Sequence, residues 1–167
     1  PTGGNSFITV GYPGLGGVLT AINDKNFLAE LNFSMTTENE KEGTPGLILM
    51  RDIIANATSV EEGEKMLREA KRIAGYNIVI ADAKTQKAEV VEITGKSVGI
   101  VPLTNNAFVS TNHFTSKELA GKNTQASNMM SSSPSPERFA RLTEMVSENY
   151  GKIDPQKAMT MMHDPGV

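Results

Sequence analysis

The 167-residue chain has no cysteine, no tryptophan and only two histidines, and aromatic residues make up 5% of it. Without cysteine there is no disulfide, no thiolate metal site and no thiol nucleophile in the chain, and the same lack fits a reducing, cytoplasmic setting. His113 and His163 are far apart and neither lies in a ligand-spaced cluster, so no metal is expected. Three Tyr and six Phe offer few rings on which bases could stack, and a net charge of −3 comes with no basic stripe. Nucleic acid is therefore not expected as a partner. No apolar run approaches the ~18 residues that suggest a membrane helix. No Ser sits in a Gly-x-Ser-x-Gly elbow, and no acid pair is placed for hydrolysis.

What the chain does contain is 38% hydrophobic residues, enough for one compact domain over residues 1–167. There is no internal repeat and no linker long enough to divide it. The first third reads as strands: "SFITVGY", "GVLTAIN" after a Gly-rich turn, and "FLAELNF" after Asn23-Asp24-Lys25-Asn26. Two helices follow. "TPGLILMRDIIANA" has Thr44 as cap, Pro45 at the first helical position and apolar residues nearly all round. "SVEEGEKMLREAKRIAG" opens on a capping box, Ser59 with Glu62, and is expected to run to Gly75 with Lys71 and Arg72 in its last turn.

Strand patterns then return as "YNIVIAD", "KAEVVEI", "SVGIV" and "NAFVST". "NIVIAD" is apolar at both parities, as in a strand covered on both faces. A polar, Ser-rich stretch leads to the amphipathic helix "PERFARLTEMVSEN", with Phe139, Leu142 and Val146 inward, and Asp154-Pro155 opens another. Strands in runs, broken by helix pairs, indicate a layered α+β fold with largely antiparallel sheets.

Two attractive motifs lose their force on inspection. "GYPGLGG" (11–17) lacks the Gly-Lys-Ser/Thr ending of a phosphate loop and no helix follows, so it reads as a turn between strands. An amino-terminal proline is a general base in some tautomerases, but Pro1 precedes Thr2-Gly3-Gly4-Asn5, which is loop chemistry.

Four residues have a polar chemistry worth placing. Asn32 shares a strand face with Leu28 and Glu30, and its local pattern reads first as a solvated strand end or turn residue. Asn112 and His113 follow "AFVST". The Asn is either a turn former or a neutral donor suited to a developing oxyanion, and a lone His is more often structural. Arg138 shares a helix face with Leu142 and Met145, so it either snorkels beside the core or meets an anion or polar cleft. Arg141, four residues after Glu137, is expected to pair with it on the solvent face. Residues alone give an α+β domain with an amide donor, an inward arginine and no nucleophile.

The ordered set "GYPGLGGVLTAINDKNFLAELNFS", "TPGLILMRDIIANATSVEEGEKML", "AFVSTNHF" and "SPERFARL" resembles the amino-terminal-nucleophile amidases over roughly residues 7–160. The nearest type is the isopenicillin-N acyltransferase family, with choloylglycine hydrolases and acid ceramidases as relatives. The resemblance implies an αββα sandwich, here incomplete at both ends. It implies that Asn32 binds the substrate carbonyl, often through its backbone N–H, and that the Asn112 amide completes an oxyanion hole. Arg138 would match an active-site arginine of some relatives, and His113 a recurrent histidine of structural or gating role beside the substrate. The family's nucleophile is a cysteine exposed by self-cleavage, whose α-amino group acts as base.

That cysteine would lie upstream of this chain, which therefore reads as an internal, inactive piece of an amide hydrolase or acyltransferase for a small-molecule amide or acyl substrate. The rival is a nucleophile-free homologue that only binds. No cofactor is implied. An internal piece would expose apolar faces, so the expected partners are the remaining segments of the parent enzyme or a second copy in a homo-oligomer.

Overall fold

The computed structural model describes residues 3–124 and 134–167. Pro1, and with it the tautomerase reading, lies outside the described residues, as does most of the Ser-rich stretch. Six strands, β1 (Phe7–Val10), β2 (Thr20–Asn23), β3 (Phe27–Phe33), β4 (Tyr76–Asp82), β5 (Lys87–Ile93) and β6 (Val98–Pro102), form one antiparallel sheet in chain order. Between β3 and β4 the chain makes α1 (Gly46–Asn56) and α2 (Val60–Glu69). After the sheet come α3 (Ser135–Glu148) and α4 (Pro155–Met162). The architecture is α+β, as the grouping of strands and helices predicts. The "GYPGLGG" stretch lies between β1 and β2, which pair antiparallel, and no helix follows it.

Strand period two builds the main core. Phe27, Ala29 and Leu31 of β3 lie on one face with Ile78 and Ile80 of β4 and Val91 and Ile93 of β5. Leu49, Met50, Ile53 and Ile54 of α1 and Leu67 of α2 cover them. The helix layer comes close: a Cβ at Gly63 would lie 2.8 Å from the Phe27 ring. Asn23 ties the two layers, donating its buried amide to the carbonyls of Ile54 and Ala57 at 2.9 and 2.8 Å.

Both helix ends depart from the sequence reading. Thr44 caps nothing; Pro45 stands at the cap position, and Thr44 instead bridges in parallel to Arg72. The α1 helix is also buried on one side only, since Ile48 is exposed. Ser59 does cap α2, but the Glu62 carboxylate reaches Thr58 rather than Ser59. The helix then stops at Glu69 instead of Gly75. The cause is Arg72, which folds back so that Nη1 donates to the carbonyls of Leu67, Arg68 and Ala70 while Nε donates to Thr94. A cation on the last carbonyls of a helix satisfies groups that continued winding would otherwise have satisfied.

The second face of the sheet is covered only in part. Towards β5 and β6 it carries the segment 103–124 and α3. At the β1–β2 end Ile8, Val10 and Ile22 are 75%, 72% and 44% exposed. On β4, Ile78 and Ile80 are fully buried, while on the other face Asn77 is buried and Val79 and Ala81 are only half-buried, so the strand is covered on both faces only in part. Nor is "NAFVST" a strand: Ala107 makes a single bridge to Thr104, and no ladder forms beyond it. A strand needs a partner edge to satisfy its backbone, and the described residues offer this segment none.

Candidate functional site

A row of residues at one register position crosses the second face: Asn32 opposite Asn77, Asn77 opposite Glu92, and Glu92 opposite Gly99. Neighbours in this row do different work. Buried Glu92 accepts from the Thr115 N–H and hydroxyl through Oε1, at 2.7 and 3.0 Å, and from the Ser116 N–H through Oε2, at 2.9 Å. The Asn77 amide donates to the carbonyls of Thr111 and His113, at 2.9 and 2.8 Å. At Gly99 a Cβ would stand 2.1 Å from Ser116 Oγ, so only glycine lets the segment lie so close. Together these hold Thr111–Ser116 against the sheet as an irregular but fully anchored strap.

Asn112 is carried on that strap. Its Nδ2 donates to the Phe33 carbonyl at 2.8 Å, and its Oδ1 accepts from Arg138 Nη2 at 2.8 Å. The guanidinium thereby fixes which end of the amide faces β3. An amide nitrogen carries two protons, so one N–H remains beyond the bond to Phe33.

Ser135, at the start of α3, is the hub of a second cluster. Its hydroxyl accepts from the Asn112 N–H at 2.8 Å and lies 2.8 Å from His113 Nδ1. His113 Nδ1 also stands 3.1 Å from Thr111 Oγ1, and its ring meets Phe139 edge-on at 5.4 Å. Burial holds this imidazole below its usual pKa, with the charge of Arg138 acting in the same direction and that of Glu92 against it. A neutral ring suits an acceptor of the Ser135 or Thr111 hydroxyl. His113 thus joins strap to helix.

Arg138 points inward, as its helix face predicts, into a cleft of about 300 Å³ lined by Glu30, Asn32, Val79, Ser110, Thr111, Arg138 and Leu142 among others. Arg141, in contrast, pairs with Glu144 and Asp164 at 2.7 Å each, not with Glu137. The strap of α4 onto α3 through Asp164 wins because it is bidentate, Nε and Nη2 both donating. Asn32 faces the cleft with its side chain, as strand alternation requires. Leu31 N–H bonds Leu19 on the β2 side, so the N–H of Asn32 turns towards β4. The donor that Asn32 offers the cleft is therefore its side-chain amide.

That amide donates to Glu30 Oε2 at 3.3 Å. Burial pushes the Glu30 carboxyl up to about 7. Sequence reasoning found Asn32, Asn112, Arg138 and His113, but it missed Glu30, Asn77, Glu92 and Ser135. Alternation had already set Glu30 on the face of Asn32. Nothing local marks the other three, whose partners lie 22 or more residues away. Asn32 and Arg138 line one cleft, Asn112 joins it through Arg138 and Phe33, and His113 stands behind it. Such a cleft can offer a carbonyl the neutral Asn32 amide beside one cation and one titratable acid, with the Asn112 amide held next to it by Arg138.

Residues 1–166 match the family described as acyl-coenzyme A:6-aminopenicillanic acid acyl-transferase. The chain belongs to this family. No curated protein matches the sequence. Among solved structures, an amidase from Caenorhabditis elegans that hydrolyses N-acylethanolamines superposes with a TM-score of 0.60 at 14% identity, covering 95% of this chain and 73% of its own. A conjugated bile acid hydrolase variant from Clostridium perfringens gives 0.54 at 15% identity, with 92% of this chain and 61% of that one. Penicillin V acylase from Agrobacterium tumefaciens gives 0.54 at 12% identity, with 87% and 50%. At such identities the likeness is one of fold, that of the amino-terminal-nucleophile hydrolases. The chain spans about six-tenths of the bile acid hydrolase length.

Proposed function

We propose that this chain is the larger part of one αββα amidase domain, whose parent protein hydrolyses or transfers an acyl group at an amide bond. The observation that carries this reading is the Asn112 amide, pinned between Phe33 and Arg138 within one residue of Asn32. Two neutral side-chain amides beside one cleft suit a carbonyl oxygen that gains charge. Donors already held in place act without reorganising when that charge develops, and one such donor is worth about 3 kcal/mol. In this reading Asn32 and Asn112 form the oxyanion hole and Arg138 orients Asn112 while shaping the pocket. His113 positions the strap that borders the substrate.

The chain contains no cysteine, so a thiol nucleophile and its α-amino base would come from another segment of the parent. The uncovered apolar stripe of Ile8, Val10 and Ile22 is where such further segments would pack. The test is made on the full-length protein, by intact mass and amino-terminal residue, then by turnover of N-acyl amides. A species cleaved to expose cysteine, active on amides and slowed about 100-fold by Asn112→Ala, is the expected result. A full-length protein with no Cys, Ser or Thr at a cleavable position, inert towards amides, would leave a binding protein instead.

A further inference from the structure

The segment after β6 has the turn of a hairpin without its ladder. Asn105 and Asn106 are both left-handed, with φ of 49° and 55°, between Thr104 and Ala107, which bridge antiparallel. Two such residues make the tight turn that opens a hairpin. The hairpin goes no further, because in its register Val109 would meet Pro102, which has no N–H to give. Beyond Ala107 the backbone of Phe108, Val109 and Ser110 makes no hydrogen bond among the described residues, nor does the Thr111 N–H, although Thr111 is buried and the other three are half-buried. The Ser110 hydroxyl is likewise buried without a partner. Backbone donors and acceptors withdrawn from water are rarely left unpaired in a row.

Space for a partner lies beside this row. Two cavities of about 270 Å³ share Phe108, Val109 and Val146 as a common wall; Val101 and Pro102 of β6 border the first, and Ala158, Met161 and Met162 of α4 the second. The second is continuous with the candidate cleft, with which it shares Phe108, Ser110, Leu142 and Met162. A small apolar ligand would fill this trough but leave the backbone row unpaired. An extended chain meets both needs, its own N–H and C=O groups bonding the row while alternate side chains enter the apolar wall. We propose that residues 108–111 form a sheet strand in the full-length protein, paired on the α4 side with a strand from the parent's remaining length, which thereby completes the cleft wall next to Asn112. This inference rests on reading the chain as part of a larger domain, and not on amide chemistry. Proteins of this fold have the length for it: the chain covers 61% of the bile acid hydrolase and 50% of the penicillin V acylase.

Amide hydrogen exchange of the full-length protein, followed residue by residue by NMR, tests this. Successive N–H groups of a strand point to opposite edges, so pairing on one edge slows alternate amides. Either Phe108 and Ser110, or Val109 and Thr111, should exchange about 100-fold more slowly than the other pair. Nuclear Overhauser contacts from the slowed amides should lead to residues outside these 167. Four amides that exchange alike, fast or slow, overturn the inference, the slow case meaning apolar cover without pairing. Contacts that fade on dilution and lead to a second copy of this chain overturn it too. Turnover of N-acyl amides by the same sample is read separately. Alternate protection in an inert protein upholds the strand and fails the amidase reading, and turnover without alternation does the reverse.

Discussion

Arg138 Nη2 and Asn112 Oδ1 meet at 2.8 Å, joining the first turn of α3 to a loop 26 residues earlier. The bond fixes the polarity of the amide, because a guanidinium only donates and so selects the oxygen end of Asn112. The nitrogen end is left for Phe33 and, in the function proposed above, for a substrate oxygen. Arg138→Met removes the selection without removing the amide, so kcat of the full-length enzyme should fall about tenfold while Asn112→Ala costs about 100-fold. The double variant should be no worse than Asn112→Ala alone. Steady-state kinetics on all three proteins checks this, and additive losses would mean that Arg138 acts on substrate independently.

Glu92 holds the same strap from below, and removing it leaves buried donors without acceptors. Glu92→Ala should lower stability by about 3 kcal/mol, since the Thr115 and Ser116 N–H groups and the Thr115 hydroxyl all lose their partner. Glu92→Gln keeps one acceptor oxygen and should cost less than half as much. Urea denaturation of the isolated chain gives both values.

How much of this was legible in the sequence follows from the range of each interaction. Strands β3, β4 and β5 are visible residue for residue, because alternation of Phe27, Ala29, Leu31 or of Ile78, Ile80 is a local signal. The helix starts at Ser59 and Asp154 are likewise local, each accepting from an N–H three residues on. The end of α2 was misread because what stops it is Arg72 returning to carbonyls and to Thr94, a contact that no window contains. "AFVST" has strand composition but no partner edge in the described chain. Within the site, the amide and guanidinium could be named in advance, but not that Asn112 would be spent partly on Phe33. Glu30 was in view as the face-mate of Asn32, but not that it would line one cleft with Arg138, which alternation within a single strand cannot show.

Glu30 and Glu89 carry a pH signature of stability. Burial raises both carboxyls to about 7, from 4.5 for an ordinary glutamate, with the nearby Glu64 adding to the rise at Glu89. Between those values the folded chain keeps protons that the unfolded chain has released. Stability therefore declines as pH rises through the window from 4.5 to 7, and is flat above it for these groups. Glu30→Gln should match wild type near the acid end and exceed it at pH 8 by about 2–3 kcal/mol. Glu89, with a buried Oε1 lacking a partner and with Arg68 and Lys87 opposing its rise, should show the same sign. Melting curves of wild type and Glu30→Gln across that range would show the two converging at low pH; parallel curves would mean that the carboxylate is solvated.

Arg72 is the residue on which the joint between α2 and β4 depends. It is 7% exposed, and its guanidinium serves four carbonyls, three at the end of α2 and one at Thr94 beyond β5. No carboxylate is needed, because the carbonyl ends of the helix already provide the negative potential. Arg72→Met keeps the apolar stem and removes the donors, so three or four buried oxygens lose partners at a cost of about 3 kcal/mol. Arg72→Lys keeps the charge but is a point donor, unable to span Leu67 and Thr94 together, and should recover less than half of that. Hydrogen exchange locates the effect. Amides of the last turn of α2, ending at Glu69, should exchange faster in both variants while those of α1 remain at wild-type rates. Equal acceleration in both helices would mean that Arg72 supports the whole helix layer rather than the end of α2.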